Sequence, residues 1–250
     1  IAIGAALTGF AGMKYGLSIG TGWSVFTGIF MFCSVQLTAG LILRKKIQRV
    51  MDEIQRIMMA SREEANAKMR VWQFRPPGSV KEAQREIESL MRKGAKDALA
   101  VTSKLNGYKR WMPMMEKQIA TVKFQLNWML KDFEQVDALM PKAFFLAPEA
   151  IAMKMARMYM RGDGTEEIAK IYNKASRRAR YNANVILDAC YSWILVKRGN
   201  ADEAHKVLTA ALKNSDNQVL KSNHLHLANG RVSHFNNSGL GDQWDSLLLE

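Results

Sequence analysis

From Trp23 to Leu43 the chain reads WSVFTGIFMFCSVQLTAGLIL, a run without a single charge, followed at once by Arg44, Lys45, Lys46 and Arg49. At about 1.5 Å of rise per residue, a helix of this length matches a hydrocarbon core of about 30 Å. Its polar residues, Ser24, Thr27, Ser34, Gln36 and Thr38, are scattered. A helix buried in a soluble protein is rarely apolar around its whole circumference for so long. The run is therefore expected to cross a membrane. Lys and Arg beside a span are retained in the cytoplasm, so the rest of the chain is expected there.

Residues 1–13, IAIGAALTGFAGM, are also apolar, and Lys14 is the only charge before Arg44. They are too few to cross alone at ordinary thickness, but the chain opens on Ile rather than Met, and preceding residues are expected. The Gly-rich link KYGLSIGTG (Lys14 to Gly22) reads as a turn between two spans, with Trp23 at the interface. Small residues at Gly4, Thr8, Gly12, Gly16 and Gly20 would let two helices approach closely. Residues 1–43 are thus expected to form a two-helix hairpin with its second span at 23–43. The alternative is an interfacial or signal-like segment ahead of one span. A signal peptide covering the whole region does not fit, because the run is too long and no A-x-A site comes after it.

The net charge of +13 is unevenly placed. Residues 1–43 contribute +1, residues 44–120 contribute +9 and residues 121–250 contribute +3. The excess is juxtamembrane, where each Lys or Arg gains about 1 kcal/mol from anionic headgroups. Anionic lipid therefore explains it better than nucleic acid. Cys33 and Cys190 form neither a disulfide framework nor a metal-binding spacing.

Residues 44–74 carry apolar side chains at Ile47, Val50, Met51, Ile54, Ile57, Met58, Ala65, Met69 and Trp72, which is helical spacing. This basic juxtamembrane helix is expected to continue the span and to pack its stripe on the domain C-terminal to it, a dimeric coiled coil being the weaker reading. Arg75-Pro76-Pro77-Gly78 breaks it, and Ser79 with Glu82 forms a capping box for the next helix. This break is the expected domain boundary. Beyond it, helix signals alternate with short breakers and no alternating β pattern competes, so residues 79–250 are expected to be all-α.

Three segments align: DFEQVDALMPKA from Asp132, GTEEIAKIYNKA from Gly164 and NADEAHKVLTAA from Asn200. Apolar anchors recur at Val136, Ile168 and Ala204, then at Met140, Tyr172 and Leu208, then at Ala143, Ala175 and Ala211. A fourth set falls at Leu240, Trp244 and Leu247. Small residues precede the anchors at Ala156, Ser192 and Ala228, with Phe124 in that place in the first unit. This rhythm resembles the tetratricopeptide repeat, a helix–turn–helix unit of about 34 residues. The resemblance covers Met115 to Glu250, with a further degenerate unit at Lys81–Leu105. It lacks the family's Trp-Leu-Gly-Tyr set in the first helix, and the last unit carries an Asn/Gly-rich insertion. It implies an all-α solenoid in which each unit buries its apolar face on the next. The alternative is a helical bundle without repeats.

No catalytic constellation, phosphate-binding loop or cofactor motif is present in the sequence, and none is expected in the protein. His224 and His226 are spaced i, i+2, which points them to different helix faces and makes a poor chelate. His205 and His234 are read with them as surface histidines. Cys190, among Leu187, Tyr191 and Ile194, reads as a buried small residue. Arg161-Gly162-Asp163 falls in an inter-helix turn. The methionine clusters at Met112, Met114 and Met115 and at Met153, Met155, Met158 and Met160 read as core filler or as an adaptable groove.

In tetratricopeptide proteins the first helices line the concave face. Carried onto this chain, the resemblance implies an inward ladder of Gln125, Arg157 and Trp193, with Met129, Arg161 and Lys197 one turn later and Gln118, Trp128 and Met153 flanking it. Such a strip suits an acidic or amphipathic peptide. The arrangement is similar to that of the HemY and LapB groups of membrane-anchored repeat proteins. That likeness implies a bacterial inner-membrane protein with a cytoplasmic interaction scaffold, a role in envelope assembly and no enzymatic activity. Homo-oligomerisation remains open. The second reading is a membrane-tethered α-repeat RNA-binding protein. Against it, Gln125, Arg157, Trp193 and Asn229 do not repeat one polar type as a base-reading code requires.

Overall fold

The computed structural model describes residues 11, 21–75, 77–109, 112, 114–178 and 184–249. All regular structure among them is helical. The first expected span lies outside the described residues, apart from Ala11, as does the side chain of Trp23. The chain divides into two compact units, up to Lys131 and from Asp132 to Glu250.

The first unit begins with α1, Thr21–Phe74, one uninterrupted helix of 54 residues and about 80 Å. Its apolar stretch is long enough to cross a membrane, and none of that stretch is buried in the protein. Phe26, Phe30 and Leu37 are each about two-thirds exposed. The Ser34 and Thr38 hydroxyls donate to the carbonyls of Phe30 and Ser34, at 2.8 and 2.5 Å. These polar side chains thus find partners inside the helix, as an apolar surrounding requires.

Below the basic cluster α1 changes character. Val50, Ile54 and Ala65 are buried, and the stripe packs on α2, Val80–Val101. The two run antiparallel: Glu53 pairs with Lys104, Ser61 meets Gly94, and Lys68 pairs with Glu86. Ser79 caps α2, its Oγ accepting from the Glu82 N–H at 3.1 Å. A 3-10 segment, Thr102–Tyr108, and α3, Met115–Met129, complete the unit. Its core joins Val50, Ile54, Ala98, Leu105, Ile119 and Leu126. Residues 75 and 77–79, at the expected domain boundary, lie within the first unit, where α2 packs on α1 and the 3-10 segment and α3 join its apolar stripe in one core.

The second unit holds α4 (Phe133–Leu139), α5 (Pro148–Arg161), α6 (Thr165–Arg178), α7 (Val185–Lys197), α8 (Ala201–Ala211) and α9 (Gln218–Ala228), with a short terminal α10 (Asp242–Asp245). Helix α5 packs on α6 and α7, α7 on α8, and α8 on α9. The turns repeat one device. Gly162, Gly199 and Gly230 come after α5, α7 and α9 with φ of 83°, 80° and 68°, a left-handed conformation that costs glycine little. Each lets the next amide return to the helix it leaves, as Asn200 N–H does to the Leu195 carbonyl at 2.8 Å.

The aligned anchors of the first three sets lie in the core, except Ala143, which is half-buried. Val136, Ile168, Ala204 and Leu208 are fully buried, and Ala156 and Ser192 are equally inaccessible. Every residue from Ile186 to Leu195 is buried, making α7 the axis of the unit. The fourth set departs from the pattern. Ala228 is exposed and Leu240 ends a 3-10 turn, Ser238–Leu240. The Asn/Gly-rich insertion explains this: Asn237 is buried and donates to the Ala189 carbonyl of α7 at 3.1 Å while accepting from Asn223 at 2.8 Å. It leads the chain back to α7, where Trp244 stands edge-on to Trp193 with ring centres 5.8 Å apart.

Candidate functional site

Helix α5 presents Arg157 and Arg161 one turn apart on the same face. Asp137 of α4 receives Arg157 in a two-pronged pair, Nε to Oδ1 at 2.8 Å and Nη2 to Oδ2 at 2.6 Å. Phe133 lies under that guanidinium, 4.7 Å from its ring centre. Arg161 approaches Asp137 at 3.7 Å and pairs more closely with Asp163, at 3.1 and 2.5 Å. The Arg161-Gly162-Asp163 tripeptide is thus a capped turn held by its own ion pair. Hydrogen bonding from Arg157, with the charges of both arginines, holds the Asp137 carboxyl below its usual range. The bond to Asp137 raises the affinity of the Arg157 guanidinium for its proton, and the bond to Asp163 does the same for Arg161.

Arg198, which no sequence motif singles out, completes the cluster. It donates to Thr165 Oγ1 at 2.8 Å and to the Asp163 carbonyl at 2.5 Å, and its guanidinium lies 5.5 Å from the Tyr159 ring centre. No short-range pattern joins Arg198 to a turn more than thirty residues earlier. Only the packing of α7 on α5 does.

The residues of the expected ladder lie in unlike surroundings. Trp193 is 3% exposed. Tyr159 meets it edge-on at 5.2 Å and Trp244 covers another side, so it is a core residue rather than an anchor on an open face. Arg157 and Arg161 are matched by Asp137 and Asp163 and do not present unopposed charge. Lys197 is exposed, its amine 5.1 Å from the Trp193 ring centre. Gln125 is half-buried on α3 in the first unit, where Trp128 is core. Of the clustered methionines, Met115, Met155 and Met158 are buried and serve the core, whereas Met114 is exposed. Arg44, Lys45, Lys46 and Arg49 are all exposed on α1, directly below its apolar stretch.

Two further groups bear on chemistry. Buried Asp188 of α7 accepts a 2.8 Å hydrogen bond from Tyr172 of α6, and burial pushes its carboxyl up to about 6. Buried Cys190 faces the Ala152 carbonyl at 3.6 Å, and burial pushes its thiol up, which makes it inert as a nucleophile. The histidines do face different ways along α9, but each finds a partner: His224 stacks on His205 at 4.2 Å, and His226 on His234 at 5.5 Å. Among the described residues no three His, Cys, Asp or Glu side chains converge as metal ligands would. Compared with known proteins, the chain matches no family model, no curated protein and no solved structure.

Proposed function

We propose that this chain is a membrane-anchored scaffold for other proteins, facing the cytoplasm from an inner membrane and serving envelope assembly. In this reading the Asp132–Glu250 unit is a short tetratricopeptide-like solenoid. The observation that carries it is the division of labour along α1. One continuous helix exposes an apolar, membrane-length stretch, then four cations, and then enters a packed core. That design holds a folded module at a fixed distance from a bilayer. The buried small residues Ala156, Ser192 and Ala204 support the solenoid, because they let neighbouring helices approach.

The proposed partner surface is the exposed end of the arginine cluster, Arg161 with Lys197, which would take an acidic or amphipathic peptide. A partner carboxylate there competes with Asp163 for Arg161, so each contact is modest and exchange is fast. Photo-crosslinking residues at Arg161 and at Lys197 in intact membranes should give partner adducts that an acidic peptide competes away. A cytoplasm-active reporter fused after Glu250 should be active. A periplasm-active fusion, or adducts no stronger than those from Lys170 on α6, would overturn the proposal.

A further inference from the structure

The second unit contains a cavity of about 240 Å³ where the start of α5 meets the end of α6. Phe144, Phe145, Ile151 and Ile171 supply apolar walls, and Lys154 and Lys174 belong to the same lining. Among the described residues no Asp or Glu lines it. Among the described residues neither lysine takes part in an ion pair. The contrast with the arginine cluster is direct: there every described guanidinium has an oxygen partner, whereas here two cations share one apolar hollow.

This arrangement disfavours the charge on Lys154. Lys154 is half-buried, and its amine rests 5.0 Å from the Phe145 ring centre, an interaction weaker than a carboxylate would provide. Burial, then the neighbouring charge of Lys174, pushes the Lys154 ammonium below its ordinary range. A bound anion would oppose both effects, since it restores a partner to the buried cation and screens the second one. The cavity is smaller than the roughly 300–1,000 Å³ of drug-sized sites, which restricts an occupant to a few fused rings or a short acyl chain. The walls are apolar and aromatic, so the body of that occupant is apolar too.

We propose that this cavity is a binding site for a small organic anion, a carboxylate on an aromatic or short aliphatic body, with Lys154 and Lys174 holding the carboxylate and Phe144 and Phe145 covering the body. The site is separate from the peptide-facing end of the arginine cluster and does not depend on the scaffold reading.

The test uses the full chain in detergent, with 2-naphthoate as the probe and 2-naphthamide as its neutral counterpart. An amine-acylating reagent is applied, and the labelling rate of each lysine is read by peptide mass spectrometry, which micelle partitioning of the probe does not obscure. Naphthoate at about nine times its Kd should slow acylation of Lys154 about tenfold, the factor 1 + [L]/Kd. Lys206, well exposed on α8, should label at an unchanged rate, and naphthamide should protect nothing. Lys174→Met, an exposed substitution that leaves the core alone, should weaken naphthoate binding about tenfold, the size of one lost charge-assisted contact, so that the same concentration slows Lys154 acylation only about twofold. Lys154→Arg should retain protection of Lys174, and Lys154→Met should abolish it. Absence of protection, equal protection by the amide, or full protection in Lys174→Met would each overturn the proposal.

Discussion

Gly94 sits at the tightest crossing in the first unit, and replacing it with alanine separates two opposed effects. A Cβ added there would stand 2.1 Å from Ser61 Oγ and 2.6 Å from Ser61 Cβ. Rotating the serine moves Oγ, which is bonded to the Ile57 carbonyl at 3.1 Å, but cannot move its Cβ. The helices must therefore part, and with them the neighbouring contacts of Ile54, Ala95 and Ala98. Overpacking of this kind costs about 1–3 kcal/mol, whereas alanine gains about 1 kcal/mol over glycine in a helix interior. The expected net loss in Gly94→Ala is up to about 2 kcal/mol, a factor of up to about 30 in the opening equilibrium. Amide hydrogen exchange across α2, read by mass spectrometry on the full chain, reports this unit locally. Ser61→Gly removes both atoms that the new Cβ meets. In that background Gly94→Ala should reverse sign and slow exchange. If Gly94→Ala alone stabilises α2 by the helix-propensity gain, α1 and α2 do not approach as described and the reasoning fails.

Other perturbations probe the second unit. Asp188 binds its proton more tightly folded than unfolded, so its contribution is full below pH 4 and declines as pH rises through about 6. Asp188→Asn keeps an acceptor for Tyr172. It should raise stability at pH 8 by about 2–3 kcal/mol and change nothing near pH 4, and parallel unfolding curves at both pH values would contradict this. Asp137 has the opposite sign: its folded carboxyl titrates below the ordinary value, so its stabilisation is present above pH 4 and disappears on acidification. Asp137→Asn should cost about 1–2 kcal/mol at pH 7, an intermediate figure for a partly exposed two-pronged pair, and the deficit should vanish in acid-titrated melts. Ala204→Leu, at a fully buried position on α8, should lower stability by about 1–3 kcal/mol, and an unchanged melting temperature would place that face in solvent.

Much of the helical scaffold is written in short-range pattern, because backbone rules act over a turn or two. An uncharged run of membrane length, a Pro-Pro-Gly break, the Ser79 cap and the glycines after α5 and α7 each declare themselves within a few residues. The recurring small and apolar anchors were legible for the same reason: helical period and repeat offset identify which face turns inward without reference to any partner. What the sequence could not convey is the surface each face turns inward against. Arg157 and Arg161 look like free cations until α4 brings Asp137 to them from twenty residues away. Trp193 reads as a groove anchor until α10 returns to cover it, and no local pattern says that α2 closes on α1. The histidine pairs and the two lysines of the small cavity likewise meet only across helices. Such juxtapositions depend on crossing angles and on the volumes of every side chain between the helices. They are properties of the packed whole, and local periodicity carries no record of them.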